Sequence, residues 1–550
     1  MMKTRSGIIK IYLLGTFLLV AGICVKAQDT TIKRTVDITS TFKPILRDAA
    51  KINFNATPPT TDDAKPILQY TIPNQNLLFG FQPGSLKPLA LDLDSLRVWD
   101  NSSYVKLGFG SLSTPFVQTG FSFGDGKTVG LNLFAKHVSS VGKLKYQDFS
   151  NTRFGLNGFV RTENNLEWKA ILSANQEKFN RYGYSPATLV LPKDSVKQNF
   201  QTYSAKISLQ NIVPTQFSLT YRPELSIDVF NDTRKNSESN VVLNLPLRKT
   251  VGKIFAVDMS ATFDLTNYKP DAAASINNTL YYISPSLHFK TPNFLIEAGI
   301  RPSWDNKNFT MFPNVLAEIS SSDQRFTFQA GWTGHFRKTS YQYLASQNPW
   351  LKEPAFLMNT GVEERYAGFK GTVGDHVNYS AKVGFNKYTD QPLFVNNFGD
   401  GRTFRVLNES EMKVLHFDAS IGVTQQEKFS LIAGLKFNQF TDLKDNAKAW
   451  GLLPLELNAA LNIQVLKDLW FRSDVFMWSG PQIKTLPNNT AKLKGSVDLN
   501  AGLEFKVAKS LNLWLQTNNI LNKEYQRWNQ YPVYGFNFVG GIVYSFAQKN

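Results

Sequence analysis

The stretch VDLNAGLEFKV, residues 497–507, decides the fold class because apolar and polar side chains alternate along it. A repeat of two residues is that of a β-strand, whose side chains point alternately to opposite faces. One face would be apolar and the other would meet water, so the apolar face must lie against either a protein core or lipid. The apolar face consists of Val497, Leu499, Ala501, Leu503, Phe505 and Val507, and the polar positions between them include Asp498, Asn500, Glu504 and Lys506.

Residues 1–27 have the pattern of a signal peptide for export. A basic start leads into the apolar run 11–25, and the small residue Ala27 ends the pattern. A lipoprotein leader with Cys24 as its acceptor is the less favoured alternative, because Ile23 is bulkier than the small residue that such processing normally requires. Cleavage after Ala27 would remove the only cysteine of the chain. The mature protein would then be held by backbone pairing and packing rather than by disulfides.

Residues 28–101 form a second segment, which is rich in proline but keeps many apolar side chains. Seven prolines lie between Pro44 and Pro88, so extended chain is expected here rather than a packed domain. Apolar residues such as Phe42 and Phe54 are unusual for a simple linker. The segment is therefore either a disordered periplasmic tether or a strap that lies in a lumen or docks a periplasmic partner.

The net charge of the chain is +17 at pH 7, which raises the question of a polyanionic partner. The basic residues are scattered along the chain and interleaved with Asp and Glu, without a long block of Lys and Arg. Nucleic acid is therefore not an expected partner for this exported chain. The surplus fits solvated strand faces and loops, some of them near anionic lipid headgroups.

The alternating pattern recurs from residue 102 to the C-terminus. No run of about 18 apolar residues follows the leader, so the pattern excludes a second spanning helix and leaves a closed β-barrel as the membrane fold. In 455–465 the polar face again predicts a wall that faces the lumen, with Glu456, Asn458 and Asn462 on it. The whole region 102–550 is predicted to be a transmembrane antiparallel β-barrel of about 22 strands.

The predicted strands lie near 102–110, 115–124, 127–138, 152–161, 165–174, 199–209, 216–224, 237–247, 253–265, 279–289, 293–301, 308–319, 325–333, 357–371, 376–386, 412–423, 427–440, 455–465, 469–478, 491–507, 511–517 and 536–546.

The connections between these strands are sorted by length. Tight turns such as 124–126, 162–164, 290–292 and 425–426 follow the even strands. Long connections follow many odd strands, among them 175–198, 334–356, 387–411 and 518–535. Short periplasmic turns opposite long extracellular loops are what a transmembrane barrel requires, whereas a soluble sandwich has no reason to sort its loops in this way.

The last strand is expected to close the barrel against the first. Its apolar face ends in aromatic side chains, as does the C-terminal signal that the barrel-insertion machinery reads in outer-membrane proteins. Four residues follow that face, whereas many barrels end on the aromatic residue itself. The predicted closing face consists of Phe536, Phe538, Ile542, Tyr544 and Phe546.

The run NNILNKEYQRW, residues 518–528, together with the final strand resembles the last hairpin of TonB-dependent receptors. The start Ala27-Gln28-Asp29 and the many Tyr and Asn residues are similar to such receptors from Bacteroidetes-type bacteria. The resemblance implies a 22-strand barrel in the Gram-negative outer membrane, in contact with outer-membrane lipid. It also implies a globular plug inside the barrel, but 28–101 is too short for one, so a receptor-like barrel without the plug domain is predicted.

Two functions follow from this interpretation. The first is uptake or transport of a solute across the outer membrane, and the alternative is a non-enzymatic subunit or anchor of an outer-membrane assembly, with a periplasmic or outer-membrane protein as partner. The five histidines lie singly, without the spacing of a metal site or a catalytic set. No catalytic, cofactor-binding or metal site is therefore predicted, and a barrel hydrolase is the least favoured class.

Overall fold

A computed structural model describes residues 103–184, 190–374, 376–425, 428–486 and 489–546. The predicted signal peptide 1–27 and the proline-rich segment 28–101 lie outside the described residues. No helix within the described ranges has the length and apolar character needed to cross a membrane.

The described residues form a closed antiparallel β-barrel of 22 strands, as the alternating pattern predicts. One of these barrel strands is interrupted at 222–223 and therefore consists of two pieces, β7 and β8. The barrel strands are β1 (Ser103–Gly110), β2 (Thr114–Gly124), β3 (Val129–Ser140), β4 (Phe149–Arg161), β5 (Leu166–Asn180), β6 (Lys197–Asn211), β7 (Leu219–Tyr221), β8 (Glu224–Asn231), β9 (Ser237–Val251), β10 (Phe255–Lys269), β11 (Ile276–Lys290), β12 (Phe294–Asp305), β13 (Asn308–Ser320), β14 (Phe326–Arg337), β15 (Thr360–Val373), β16 (Val377–Asn396), β17 (Phe404–Gln425), β18 (Phe429–Thr441), β19 (Leu455–Leu466), β20 (Leu469–Trp478), β23 (Ser496–Ala508), β24 (Leu511–Asn518) and β27 (Asn537–Phe546).

Shorter elements lie in the connections. Two small hairpins pair β21 (Gln482–Leu486) with β22 (Asn489–Lys492) and β25 (Gln526–Trp528) with β26 (Tyr531–Pro532). Short helices span Lys193–Val196 and Tyr341–Gln347. The prediction of one strand over 491–507 is thus wrong at its start, because β22 pairs with β21 and barrel strand β23 begins only at Ser496.

The barrel closes where β27 pairs with β1. Val105 lies opposite Tyr544, and Leu107 lies opposite Ile542. The two strands approach so closely that a Cβ added at Gly541 would lie 1.9 Å from the Leu107 carbonyl oxygen. Glycine is therefore required at this point of the seam. Phe536 precedes β27, so the predicted start of this strand is one residue too early.

The two ends of the barrel differ in the length of their connections. At one end, called the turn end, the fully described connections are short: the shortest is 467–468 and the longest is 212–218. At the other, called the loop end, the connections include 338–359, 442–454 and 519–536. Long and short connections are thus sorted as predicted. The exception is 387–411, predicted as a loop, because β16 and β17 continue through most of it and leave only 397–403 as the connection.

Candidate functional site

Strand β23, which contains residues 497–507, shows how polar and apolar side chains are divided between the two faces of the barrel wall. On β23, Asp498, Asn500 and Glu504 are at most 6% exposed, whereas Leu503 and Phe505 on the opposite face are 43% and 47% exposed. Exposed apolar side chains recur on one face of nearly every barrel strand. The barrel therefore has an apolar outer belt and a polar inner wall, which suits lipid outside and water inside.

The inner wall of β23 is tied to its surroundings by hydrogen bonds. Asn512 Nδ2 donates to Glu504 Oε1 over 2.6 Å, and the Tyr525 hydroxyl donates to Asp498. Asn500 Oδ1 accepts from the backbone N–H of Asn519 over 2.9 Å. Asp498 and Glu504 therefore bond to different neighbours and do not form an acid–base pair with each other.

The remaining predicted lumen residues lie on β19 and at the turn end of β23. Their side chains are half-buried, and in the β19–β20 register Glu456 lies opposite Trp478, Asn458 opposite Phe476 and Asn462 opposite Arg472. Lys506 lies opposite Asn512 of β24. The structure thus brings Asn462 and Glu504 near the same cation, since Asn462 lies opposite Arg472 and Arg472 Nη1 lies 3.9 Å from Glu504 Oε2.

The main feature that sequence reasoning missed lies at the loop end, where the long connections fold together. We call residues 181–184, 338–359, 397–403, 442–454 and 519–536 the loop cap. Its centre is an aromatic cluster in which Tyr531 stacks on Trp350, with ring centroids 3.9 Å apart, while Tyr182 packs edge-on against both rings. These residues come from three different loops, so the cap joins distant parts of the barrel rim.

Hydrogen bonds between loops fix the same arrangement. Tyr182 Oη donates to the Pro532 carbonyl over 2.8 Å, and Tyr531 Oη donates to the Arg402 carbonyl over 2.6 Å. Arg527 Nη2 donates to the Gly451 carbonyl over 2.9 Å. Each bond crosses from one loop to another, so the loops support one another.

A buried carboxylate on the wall anchors the longest of these loops. Glu238 of β9 is 2% exposed and accepts from the backbone N–H groups of Tyr341 and Gln342, at the start of helix Tyr341–Gln347. Ser340 caps the same helix by accepting from the Tyr343 N–H over 3.1 Å. A carboxylate at a helix N-terminus also meets the positive end of the helix dipole. The loop is thereby drawn inward onto the wall.

A second anchor holds the loop between β18 and β19. Glu409 is fully buried and accepts from the backbone N–H groups of Lys444, Asp445 and Asn446 over 2.6–2.9 Å. Charge-assisted hydrogen bonds of this kind are among the stronger ones in proteins. The cap is therefore pinned to the wall at two separate places.

One buried and one half-buried arginine place positive charge in the cap. Arg181 is 1% exposed, and its Nη2 donates to the Leu351 carbonyl, while its Nε and Nη1 have no hydrogen-bond partner among the described residues. The Nε and Nη1 atoms of Arg527 likewise have no hydrogen-bond partner among the described residues. Burial lowers the pKa of Arg527 to about 10. The pKa of Arg181 is also lowered, mainly by burial and to a smaller extent by the positive charge of the nearby Arg234. An anionic group of a ligand would give both arginines a hydrogen-bond acceptor and a counter-charge.

An open cleft of about 820 Å³ lies at the rim beside the cap. It is lined by the turn around Arg234 and Lys235, by the small residues Ala272–Ala274 and by Glu353. Arg234 Nη1 lies 3.2 Å from Glu353 Oε1, so an ion pair joins the rim to the cap at this point. The volume is within the range of small-molecule sites.

One group on the inner wall has the residue types of a hydrolytic triad without its geometry. His288 Nε2 lies 2.8 Å from Asp258 Oδ2 and 3.3 Å from Ser286 Oγ. In a catalytic triad the acid and the nucleophile contact different ring nitrogens, whereas both partners here share one. Within the described ranges no three His, Cys, Asp or Glu residues are grouped so as to hold a metal ion.

Comparisons with known proteins identify the fold. No protein-family model matches the sequence, and no curated protein sequence matches it. Solved structures match over most of the chain. The siderophore receptor PirA from Acinetobacter baumannii is 9% identical, with a TM-score of 0.62 over 81% of this chain and 80% of that one.

Two further structures give the same result. The FrpB iron transporter from Neisseria meningitidis is 10% identical, with a TM-score of 0.63 over 82% of each chain. The ferripyoverdine receptor of the outer membrane of Pseudomonas aeruginosa is 11% identical, with a TM-score of 0.60 over 81% of this chain and 72% of that one. At these identities the comparisons establish a shared barrel fold.

Proposed function

We propose that this chain is an integral barrel of the Gram-negative outer membrane that takes up a solute, with the loop cap as its binding gate. The observation that carries the proposal is the cap itself, in which Trp350 and Tyr531 meet over one end of a wide barrel. A barrel of this size encloses more space than wall side chains fill. Interlocked loops at one end, with a ligand-sized cleft beside them, are suited to controlled passage.

The chemistry of the cap indicates the class of solute. Arg181 and Arg527 each have two donor nitrogens without a hydrogen-bond partner among the described residues, and Arg234 and Lys235 line the adjacent cleft. An anionic solute with apolar or aromatic parts would complement both features. Ferric chelates are the first candidates to test, since the names of fold neighbours include a siderophore receptor and an iron transporter.

We further propose that the chain is a receptor of Bacteroidetes type in which residues 28–101 take the place of a plug domain. Support comes from the sequence resemblance and from the position of Ser103, which opens β1 at the turn end. The first described strand therefore begins at the end of the barrel opposite the cap. The cap and this segment would then close the two ends of one path.

Binding and flux measurements test the proposed function. Purified protein should bind an anionic ferric chelate with a change in tryptophan fluorescence, because Trp350 and Trp528 lie in the cap. Arg181→Gln and Arg527→Gln should weaken that binding, whereas Lys352→Gln, a change of an exposed cation of the same cap, should not. Proteoliposomes that neither bind nor pass any anionic chelate would contradict the uptake function.

A second function is favoured by two exposed apolar side chains of the cap. Phe356 and Met358 are 52% and 37% exposed on a loop whose other side is firmly anchored. A rigid surface with exposed apolar side chains suits a subunit that docks another outer-membrane protein. A stoichiometric partner that co-purifies with the wild type and is lost in Phe356→Ser would favour this role over uptake.

A further inference from the structure

Exposed basic side chains surround the turn end of the barrel. They lie in or beside the short connections, where the strands reverse direction. Exposed acidic side chains in the same described connections are fewer, namely Asp125, Glu163 and Asp323. We call the following nine exposed residues the basic rim: Lys127, Arg161, Lys249, Lys253, Lys290, Arg325, Lys428, Lys467 and Lys509.

Most of these cations have no ion-pair partner among the described residues. Arg161 pairs with Glu167 over 2.6 Å, and Arg325 lies 4.0 Å from Asp323. None of the seven lysines of the rim forms an ion pair with any described residue. The nearby Asp125 is occupied by its own turn, because its carboxylate accepts from three successive backbone N–H groups. The rim thus presents a surplus of positive charge to whatever lies beside it.

The cations lie at the edge of the apolar outer belt. Lys253 is two residues from Val251 and from Phe255, which are 48% and 52% exposed. Lys467 directly follows Leu466, which is 64% exposed. Because the connections are short, these side chains cannot extend far from the belt. A cation in this place lies where apolar contact ends and water begins.

The distribution of the rim around the barrel indicates the kind of partner. Its members come from connections that extend from β2–β3 to β23–β24, which covers most of the circumference. A docked protein would require charge on one arc, whereas lipid surrounds a barrel on all sides. The combination of apolar contact and lysine fits a phospholipid, which carries acyl chains and an anionic headgroup.

We propose that the basic rim binds the headgroups of anionic phospholipids in the leaflet at the turn end, an inference that rests on the proposed membrane function. Each headgroup phosphate lies beside one or two rim lysines, and its acyl chains lie on the belt residues next to them. The rim thereby fixes the depth of the barrel in the bilayer. Phosphatidylglycerol and cardiolipin supply this chemistry.

Lipid discs of defined composition test the inference. The full chain is placed in discs of phosphatidylcholine with a minor share of phosphatidylglycerol, and the lipid retained by the barrel is measured. Lys253→Gln, Lys467→Gln and Lys509→Gln are combined in one variant, and Lys143→Gln, Lys352→Gln and Lys523→Gln at the loop end form the matched control. All six side chains are exposed, so both variants should fold, as a shift on unboiled gels would show.

The wild type and the control should enrich phosphatidylglycerol, and the rim variant should lose about fivefold in enrichment for each cation that a headgroup contacts. Equal enrichment in both variants would overturn the inference. Loss of binding to soluble polyglutamate with unchanged lipid enrichment would identify the rim as a protein-docking site and overturn it as well. A wild type that enters discs without lipid preference contradicts only this inference, whereas one that enters no disc contradicts the membrane function too.

Discussion

Trp350 and Tyr531 stack with their ring planes inclined by 26° and thereby join two loops that leave the barrel rim at different places. Trp350 lies between β14 and β15, and Tyr531 lies between β24 and β27. Such a stacked pair contributes about 0.5–1.5 kcal/mol beyond the burial of the rings. It is the point at which the longest cap loop meets the loop next to the closing seam.

Trp350→Ala should loosen the cap and raise ion conductance in planar bilayers. Removal of a buried tryptophan costs about 3–5 kcal/mol, but the barrel ladder does not depend on this residue. The protein should therefore remain folded while its loop end opens. Phe356→Ala in the same loop is the control, since Phe356 is exposed. Equal conductance in wild type and Trp350→Ala would show that the cap does not close the path.

The assignment of an outer and an inner face to strands β19 and β23 can be tested by placing a charge on each face of the wall. Leu503→Lys on the outer belt should cost about 2–4 kcal/mol near the middle of a bilayer. Asn458→Lys on the half-buried inner face of β19 should cost less than about 1 kcal/mol, because water and the lumen charges can solvate it. Urea unfolding in lipid vesicles measures both. A larger effect at Asn458 would mean that the two faces are reversed.

The ion pair between Arg234 and Glu353 predicts how the stability of the cap changes with falling pH. Burial alone would raise the pKa of Glu353, but its own backbone N–H and Arg234 outweigh burial and hold that pKa below the usual range. The ionised Glu353 therefore contributes its full stability at pH values above the ordinary pKa of glutamate. That contribution is lost as the pH falls through the lowered pKa of Glu353 in the folded protein. Conductance should stay low at mildly acidic pH and rise only in stronger acid.

Glu353→Gln should remove this acid response, because the pair is then absent at every pH. The matched control is Glu524→Gln, which changes an exposed carboxyl of the same cap. If the variant and the wild type open at the same pH, another group governs the cap.

Deletion of residues 30–95, with the signal and its cleavage site retained, should leave the barrel folded and raise its conductance. The reason is the width of a 22-strand lumen, which known large barrels fill with a plug. Conductance in planar bilayers measures the effect. A deleted form as tight as the parent would show that this segment does not close the lumen, and loss of a co-purifying periplasmic protein would then favour the assembly role.

The barrel itself should be recognised by its resistance to detergent. Unboiled protein should migrate differently from boiled protein on a denaturing gel, because a closed ladder leaves no free edge from which to unfold. Carbonate should fail to extract it from membranes. A fully folded form that is released by carbonate would contradict a membrane location.

The sequence predicts the barrel well wherever one face of a strand meets water and the other does not. It fails over 387–411, because Leu393, Phe394 and Val395 are all buried where β16 passes beneath the cap. With both faces covered, the alternation disappears and a strand resembles a loop. Asn500 shows a related limit. The pattern marks it as water-facing, whereas the structure buries it against the Asn519 N–H.

The cap could not be predicted, because its contacts join residues far apart in the chain. Tyr182, Trp350 and Tyr531 lie in loops whose sequences show only aromatic richness. No local period indicates that loops from opposite parts of a rim will meet. The anchors Glu238 and Glu409 are likewise indistinguishable in sequence from other carboxylates on polar strand faces.

The pairing of Ser103 with Phe546 has a consequence for biosynthesis. The first strand in the chain must wait for the last, so a partly formed sheet keeps two open edges until the seam closes. Open edges recruit strands from other chains. The entropic cost of joining distant ends rises only slowly with chain length, so the finished seam is not much weakened by the distance in sequence between its strands. The risk of pairing with another chain comes instead from the time during which the edges stay open. Both edges disappear only when β27 pairs with β1, so the last step of folding also removes the surface on which another chain could pair.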